Sequence, residues 1–384
     1  MDLTESLERA IKLFHKRTAV LCGDTVYTYR EFYERVNRLS SGLQSLGVQE
    51  GDRVAFMMLN CHRHLETYYA ITNIGGAVVP LNIRLSPQEL TYIINDSESR
   101  VLVIDEALLP LAEAIRPKIE TVEHLILAGD SKGPDHMMDY EKLVAQSAPV
   151  PPGVKIDDDD LAGIFYTGGT TGKPKGVMLS HDNLMSNCIN LQGGLGFKKD
   201  DIYLHAAPMF HLANGAAMIA ATHAGVAHAF IKAFAPDLVL QAIERHKVTV
   251  TLLIPAMINF VVNHPDLEKR DISSLRLVVY GGSPIPVEVL RKAMQKLPNC
   301  RFIQAYGMTE ASPVLTVLNQ DDHTLQGPPE VLARLASGGQ PIHGVRVRVV
   351  NAEGQDVKPG EIGEVIAKGP TITKGYWKLP QETA

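Results

Sequence analysis

Cysteine is scarce in this chain: four residues among 384, at Cys22, Cys61, Cys188 and Cys300, with no CxxC pair. That spacing excludes a disulfide framework and, with no histidine cluster at ligand spacing, a zinc site; reduced, mostly buried thiols are expected. Charge of one sign is not concentrated anywhere. The 43 acidic and 37 basic residues leave a net charge of −6 and no dense Lys/Arg stripe, which argues against a nucleic-acid partner. An uninterrupted apolar span is also missing. Positions 202–231 and 248–265 lack Asp, Glu, Lys and Arg, but the first holds Pro208, Gly215, Gly225 and four histidines. The second has Pro255 within it and Thr249, Thr251, Asn259 and Asn263 along it, so buried strand-turn-helix units explain both better than a membrane helix. The first dozen residues carry charges throughout and set Leu3, Leu7 and Ala10 or Ile11 on one helical face, unlike a secretory signal; a cytoplasmic protein is expected. There are no internal repeats and no low-complexity tract.

What is there is ordinary globular composition, 45% hydrophobic and 21% charged, over a length that predicts two or three subdomains. A short hairpin, Ala19 to Cys22 and Thr25 to Tyr27, precedes an amphipathic helix opened by a Thr28/Glu31 capping box and closed by Gly47. Strand-like Val54 to Leu59, a helix to Ile74, a helix launched at Ser86-Pro87 with Glu89, and the apolar run Val101 to Ile104 follow. That alternation predicts a parallel sheet with helices on its faces. After the Pro- and Asp-rich stretch from Ala148 to Asp160 the pattern resumes, with strand-like runs at Leu161 to Tyr166, Val248 to Ile254, Leu275 to Tyr280 and Arg301 to Ala305. The expected α/β architecture is two parallel-type sheets in layered subdomains, residues 1 to about 155 and about 156 to 336. A small β-barrel-like subdomain, with strands at Val345 to Val350 and Glu364 to Ala367, would follow from about 337 and be unfinished at 384.

The strongest chemical signal is Tyr166-Thr-Gly-Gly-Thr-Thr-Gly-Lys-Pro-Lys-Gly176, after an apolar strand and before a helix start at Ser180-His181-Asp182. Glycines let backbone N–H groups turn inward, Thr hydroxyls donate to phosphoryl oxygens, and Lys173 and Lys175 add positive charge, as a polyphosphate requires. It is not a Walker A loop, because Pro174 follows Lys173 where that motif needs Ser or Thr. A merely flexible surface loop needs neither paired threonines nor two lysines. The segment resembles the phosphate loop of the adenylate-forming superfamily of acyl-CoA synthetases, luciferases and peptide-synthetase adenylation domains. Ala207-Pro-Met-Phe-His211, Tyr280-Gly-Gly-Ser-Pro284, Gln304-Ala-Tyr-Gly-Met-Thr-Glu310 and Gly360-Glu-Ile-Gly-Glu364 through Gly375-Tyr-Trp377 follow in the family's order. One departure is the Gly168-Gly169 pair, where many members carry Ser then Gly.

The resemblance implies ATP, Mg2+ and CoA as ligands and a carboxylic acid as substrate. The nucleotide would be held by Thr167, Gly168, Gly169, Thr170, Thr171, Gly172, Lys173 and Lys175, by Gly281, Gly282, Ser283 and Pro284, and by Gln304, Ala305, Tyr306, Gly307, Met308 and Thr309. In that set Tyr306 stacks on adenine, Thr309 reaches the α-phosphate, and Glu310, with Thr170, binds Mg2+. Catalysis would fall to Thr170, Lys175, His211 and Glu310, and acid binding to Phe210, His211, Asn214, Gly215, Met257, Gly282, Gly307 and Met308. A lone His in an apolar run is most often a satisfied core residue; only its motif lifts His211 above that, whereas His205, His223 and His228 have no such support.

The implied reaction forms an acyl-adenylate with loss of pyrophosphate and then a thioester. Peptide-synthetase members of the resembled family hold the substrate ammonium with an acidic residue near the segment matching His211. No Asp or Glu occurs between Asp201 and Asp237, so the resemblance implies an uncharged medium- or long-chain fatty acid rather than an amino acid. An aryl or cinnamate-type acid is the alternative. Delivery to a carrier protein, oxidation as in luciferases, a non-catalytic nucleotide-binding module and a non-P-loop kinase are rival readings. Family members continue with a mobile C-terminal lid bearing a catalytic Lys, so weak or absent turnover is expected of this chain. Peripheral membrane contact with a long-chain acid, and a homodimer, are left open.

Overall fold

The structure, a computed structural model, describes residues 1–168 and 172–383. Local chemistry sets the first elements as expected. Thr28 and Glu31 form a reciprocal capping box that opens the helix Tyr29–Ser45, and Phe32, Val36, Leu39 and Leu43 recur on its buried face. Ser86 and Glu89 do the same for Pro87–Asp96, with proline at the start of the helix.

Among the described residues the strands assemble into two large sheets and a two-stranded ribbon. The loop sheet runs, edge to edge, Gly375–Tyr376, Lys175–Ser180, Leu161–Thr167, Ala77–Pro80, Arg53–Met57, Val101–Asp105, His124–Ala128 and Met138–Asp139. From Leu161–Thr167 to Met138–Asp139 its neighbours are parallel; Lys175–Ser180 and Gly375–Tyr376 extend it antiparallel. The cavity sheet runs Gln340–Pro341, Val314–Leu318, Arg301–Gly307, Leu277–Gly281, Val250–Leu253, Ile202–His205, Ala227–Phe230, Thr18–Cys22 and Thr25–Thr28. Its centre is parallel, and its Val/Ile/Leu-rich strands are buried on both faces. The helices His181–Leu195 and Leu212–Ala224 pack on each other, and the second is apolar on nearly every side, as a helix enclosed by protein must be.

Strand membership does not follow the partition expected at about 155 and 336. The N-terminal hairpin joins the cavity sheet, where Val20 pairs with His228, while Leu161–Thr167, Lys175–Ser180 and Gly375–Tyr376 belong to the loop sheet. Edge pairing across the whole chain, which no local pattern encodes, decides membership. The strand Lys175–Ser180 was also unexpected. The chain turns back from Thr167 into a hairpin, so Ser180, which caps the helix His181–Leu195, ends a strand rather than a loop. At the C-terminal side Arg346–Val350 and Glu364–Lys368 pair as an antiparallel ribbon, and the described residues form no closed barrel. Most of the ribbon is solvent-exposed, and closure needs more strands than it has. No described helix is long and apolar enough to cross a membrane.

Candidate functional site

A cavity of about 390 Å³ opens at the carboxyl ends of the central parallel strands of the cavity sheet. Each strand exit contributes to it. Ala207, Pro208 and His211 follow Ile202–His205, Ile254 and Met257 follow Val250–Leu253, Gly281 and Gly282 follow Val279 and Tyr280, and Gly307, Met308 and Thr309 follow Ala305 and Tyr306. Ligand sites in α/β sheets form at such exits because loops diverge there and leave backbone groups free. Leu191 and Leu195 of the helix His181–Leu195, with Leu252, Val279 and Val314, make the rest of the wall apolar.

Glycine is required where the walls close up. A Cβ on Gly281 would overlap the Ala305 carbonyl oxygen of the neighbouring strand, and one on Gly307 would overlap the Pro313 oxygen. Gly282, with φ of 78°, sits in the left-handed region that favours glycine and turns the chain out of its strand.

The polar groups lie at the rim. His211 lines the cavity, and burial together with the nearby Arg84 guanidinium lowers its pKa, so the ring is neutral at physiological pH. Arg84 comes from the loop after Ala77–Pro80, so the loop sheet contributes a cation to a cavity otherwise made by its partner. Glu310 follows Thr309 in a single 3-10 turn, and its Oε1 accepts a 2.8 Å hydrogen bond from the Tyr376 hydroxyl. The Tyr376 ring lies 5.5 Å below the Lys175 ammonium, and Lys175 pairs with Glu382. Burial and the Glu310 contact push the Tyr376 phenol up to about 12, so it remains a donor. Lys175, Tyr376 and Glu310 thus form a contact chain from the glycine-rich hairpin to the rim of the cavity.

Of the residues singled out by sequence, His211, Asn214, Met257, Gly281, Gly282, Ala305, Tyr306, Gly307, Met308 and Thr309 line one cavity. Several do not. Phe210 is buried and packs against the His211 ring at 4.8 Å, and Gly215 is turned about 100° around its helix from Asn214, so neither is in the lining. Ser283 and Pro284 lie exposed beyond the turn, and Gln304 accepts from the Tyr280 hydroxyl instead. Thr167 pairs with Lys175 at the hairpin's end, Gly168 is exposed, and Gly172 adopts φ of 92°. Lys173 rests 5.4 Å over the Tyr92 ring. Gly169, Thr170 and Thr171 lie outside the described residues.

Sequence reasoning missed Arg84, Leu191, Leu195 and the Tyr376 contact with Glu310. Leu191 and Leu195, four apart on an apolar helical face, carried a signal that reads as core; Arg84 carried none. As for Mg2+, no described cluster of three or more His, Cys, Asp or Glu could cage a metal. The Glu310 carboxylate, following Thr309 in one turn, is nevertheless a hard-oxygen donor that fits this ion, which takes its other ligands from phosphate and water.

Comparison with known proteins gives a consistent picture. The family model described as "AMP-binding enzyme" matches residues 7–377. A feruloyl-CoA synthase of Amycolatopsis sp is 35% identical over 377 residues, covering 98% of this chain and 72% of that protein. A long-chain-fatty-acid–CoA ligase of Thermus thermophilus is 36% identical over 393 aligned residues, covering 100% of this chain and 72% of that protein. The solved N-terminal domain of FACL13 from Mycobacterium tuberculosis superposes with a TM-score of 0.89 at 28% identity, covering 100% of this chain and 92% of that one.

Proposed function

Because the chain belongs to the AMP-binding enzyme family, we infer that its cavity activates a carboxylic acid on ATP and prepares the acyl group for transfer to the thiol of CoA. The observation that carries this reading is Thr309 in the lining of a largely apolar cavity, with Glu310 next to it in the same turn and Lys175 tied to Glu310 through Tyr376. That is a lipophilic slot ending in groups suited to phosphate.

A carboxylate is a poor electrophile, and linking it to AMP supplies a leaving group. One carboxylate oxygen attacks the α-phosphorus, the bond from that phosphorus to the bridging oxygen breaks, and pyrophosphate departs with the electron pair. Gly281 and Gly282 would let the backbone approach adenine, Tyr306 would stack on it, and Thr309 would donate to the α-phosphate. Lys175, freed from Glu382, would offset the charge growing on the departing phosphates. Glu310 would hold Mg2+, which when bound neutralises phosphate charge. The neutral His211 would orient the carboxylate beside Arg84 without abstracting a proton. In the second half-reaction the thiol adds to the acyl carbon and AMP leaves.

For the acid we propose a medium- or long-chain fatty acid. The inner wall is Leu191, Leu195, Leu252, Met257, Val279 and Val314. The polar atoms nearest it are already engaged, Asn214 with Tyr203 and Ala207, and the Tyr280 hydroxyl with His323. A ring hydroxyl would find no free partner among them, which places aryl acids second. Titrating the chain with non-hydrolysable acyl-adenylate analogues tests both levels. Alkyl tails should bind well above ATP and above benzoyl or cinnamoyl tails; tighter binding of the aryl series reverses the preference, and binding of neither analogues nor ATP rejects the activity.

A further inference from the structure

Residues 205–211, the strap between the strand Ile202–His205 and the helix Leu212–Ala224, supply Ala207, Pro208 and His211 to the cavity. Among the described residues the strap has no sheet partner beyond His205, and several of its backbone polar groups are satisfied by side chains. Two carboxamides do so. Asn60, in the turn after Arg53–Met57, donates through Nδ2 to the carbonyls of His205 and Ala207 at 3.1 and 3.0 Å. Its Oδ1 accepts from the Met209 amide at 2.8 Å. Asn214 donates through Nδ2 to the same Ala207 carbonyl at 2.7 Å. Both lone pairs of that oxygen are therefore taken, one from each sheet's side, immediately before Pro208.

The Asn214 orientation follows from this arrangement. A carbonyl only accepts, so the NH2 faces Ala207 and Oδ1 faces the Tyr203 hydroxyl and His205 Nδ1, at 2.9 and 3.2 Å. His205 Nδ1 then carries the proton that faces Asn214, its Nε2 lies 2.9 Å from His228 Nδ1, and His228 Nε2 lies 3.1 Å from the Thr222 hydroxyl, which itself donates to the Met218 carbonyl at 3.0 Å. Both rings are buried and neutral, His228 being held near 3 by desolvation. The Ala207 carbonyl and the Tyr203 hydroxyl thus orient Asn214 from its two ends, and Asn214 in turn holds the strap.

We propose that Asn60 and Asn214 are positioning residues that set the acid-binding wall, with Asn60 coupling the loop sheet to the seating of His211. The proposal rests on the acid-activating reading of the cavity. Asn60 discriminates, because it is buried and does not line the cavity and so can reach a ligand only through the strap. The experiment titrates the parent chain, Asn60→Ala, Asn214→Ala and the double variant with an alkyl-adenylate analogue and with ATP. The ratio of the two affinities within one variant cancels any shared loss of folded protein. Asn60→Ala should lower that ratio by about tenfold. The double variant should lose less than the product of the single losses, because both amides act on one carbonyl. Should the alanine variant not fold, Asn60→Ser is read the same way. A parental ratio in Asn60→Ala, whatever its melting temperature, overturns the proposal. Failure of the parent chain to bind any analogue while binding ATP overturns the acid reading first.

Discussion

The loop sheet and the cavity sheet have a parallel centre with antiparallel additions, yet their flanking polar groups are arranged in opposite ways. Beside the loop sheet the charges satisfy one another. Arg35 grips the fully buried Glu66 through two nitrogens at 2.6 and 3.0 Å, Tyr140 donates to the same carboxylate at 2.9 Å, and Glu141 joins Arg35 to Arg63. Beside the cavity sheet the strand exits end in open space lined by His211, Arg84 and Thr309, with Glu310 following Thr309. One fold element thus serves cohesion where its polar groups are saturated and opens a cavity where they face open space.

The largest test of that contrast is Glu66→Ala. It removes the fully buried carboxylate between Arg35 and Tyr140, leaving the guanidinium, only 16% exposed, with Glu141 alone and the Tyr140 hydroxyl without its acceptor. Because Arg35 keeps Glu141, the cost should lie at or below the low end of the roughly 3–5 kcal/mol for breaking a buried pair, read by denaturant unfolding, while ATP affinity of the folded fraction stays at the parental value. Equal losses of stability and ATP affinity would break the comparison. Next comes Glu310→Gln, which keeps an acceptor for Tyr376 and removes the charge. Stability should hold within about 1 kcal/mol, while the Mg2+-dependent part of ATP affinity falls by about a hundredfold. An unchanged Mg2+ dependence would remove Glu310 from the metal.

Histidines along the seam between the sheets sharpen the contrast through pH. Desolvation holds His64 and His228 near 3 and His181 near 4, far below an unfolded histidine at 6.5. The unfolded chain therefore binds more protons than the fold below about pH 6.5, so their contribution is full above that value and lost as pH falls toward the folded values. His64 is the clearest probe, since neither ring nitrogen has a hydrogen-bond partner of good geometry among the described residues. His64→Leu should be close to neutral at pH 7. At pH 5, about 1.5 units below the unfolded value, it should be favoured by about 2 kcal/mol relative to the parent. Parallel stability-versus-pH curves for the two proteins would disprove the assignment.

Sequence and structure part company along the same line. Capping boxes at Thr28 and Ser86, the apolar strand runs, and the glycine-bearing strand exits at Gly281 and Gly307 were legible because their causes lie within a few residues. The hairpin strand Lys175–Ser180 was hidden by its closeness to the glycine-rich motif and to the helix cap at Ser180. The strap's partner Asn60 lies 149 positions from Met209, and no period or spacing reaches that far. Sheet membership of the N-terminal hairpin has the same origin, as do Arg84 at the cavity and the ribbon that replaces the expected barrel.

Tyr376→Phe is the finest probe of the join between the two sheets. Tyr376 belongs to the loop sheet through its pairing with Val177, yet its hydroxyl serves Glu310 on the cavity side. Phenylalanine keeps the ring under Lys175 and deletes the donor alone. One hydrogen bond to a charged acceptor at a partly exposed site is worth about 1 kcal/mol, so Mg2+-dependent ATP affinity should fall roughly fivefold. Unfolding stability should change by less than about 1 kcal/mol, because Glu310 can turn to water once released. Combined with Glu310→Gln, the phenylalanine variant should add little further loss, since both act on one carboxylate. Full additivity would mean that Tyr376 influences the phosphates by its own route, and the loop sheet would then enter the site as a ligand-binding surface in its own right.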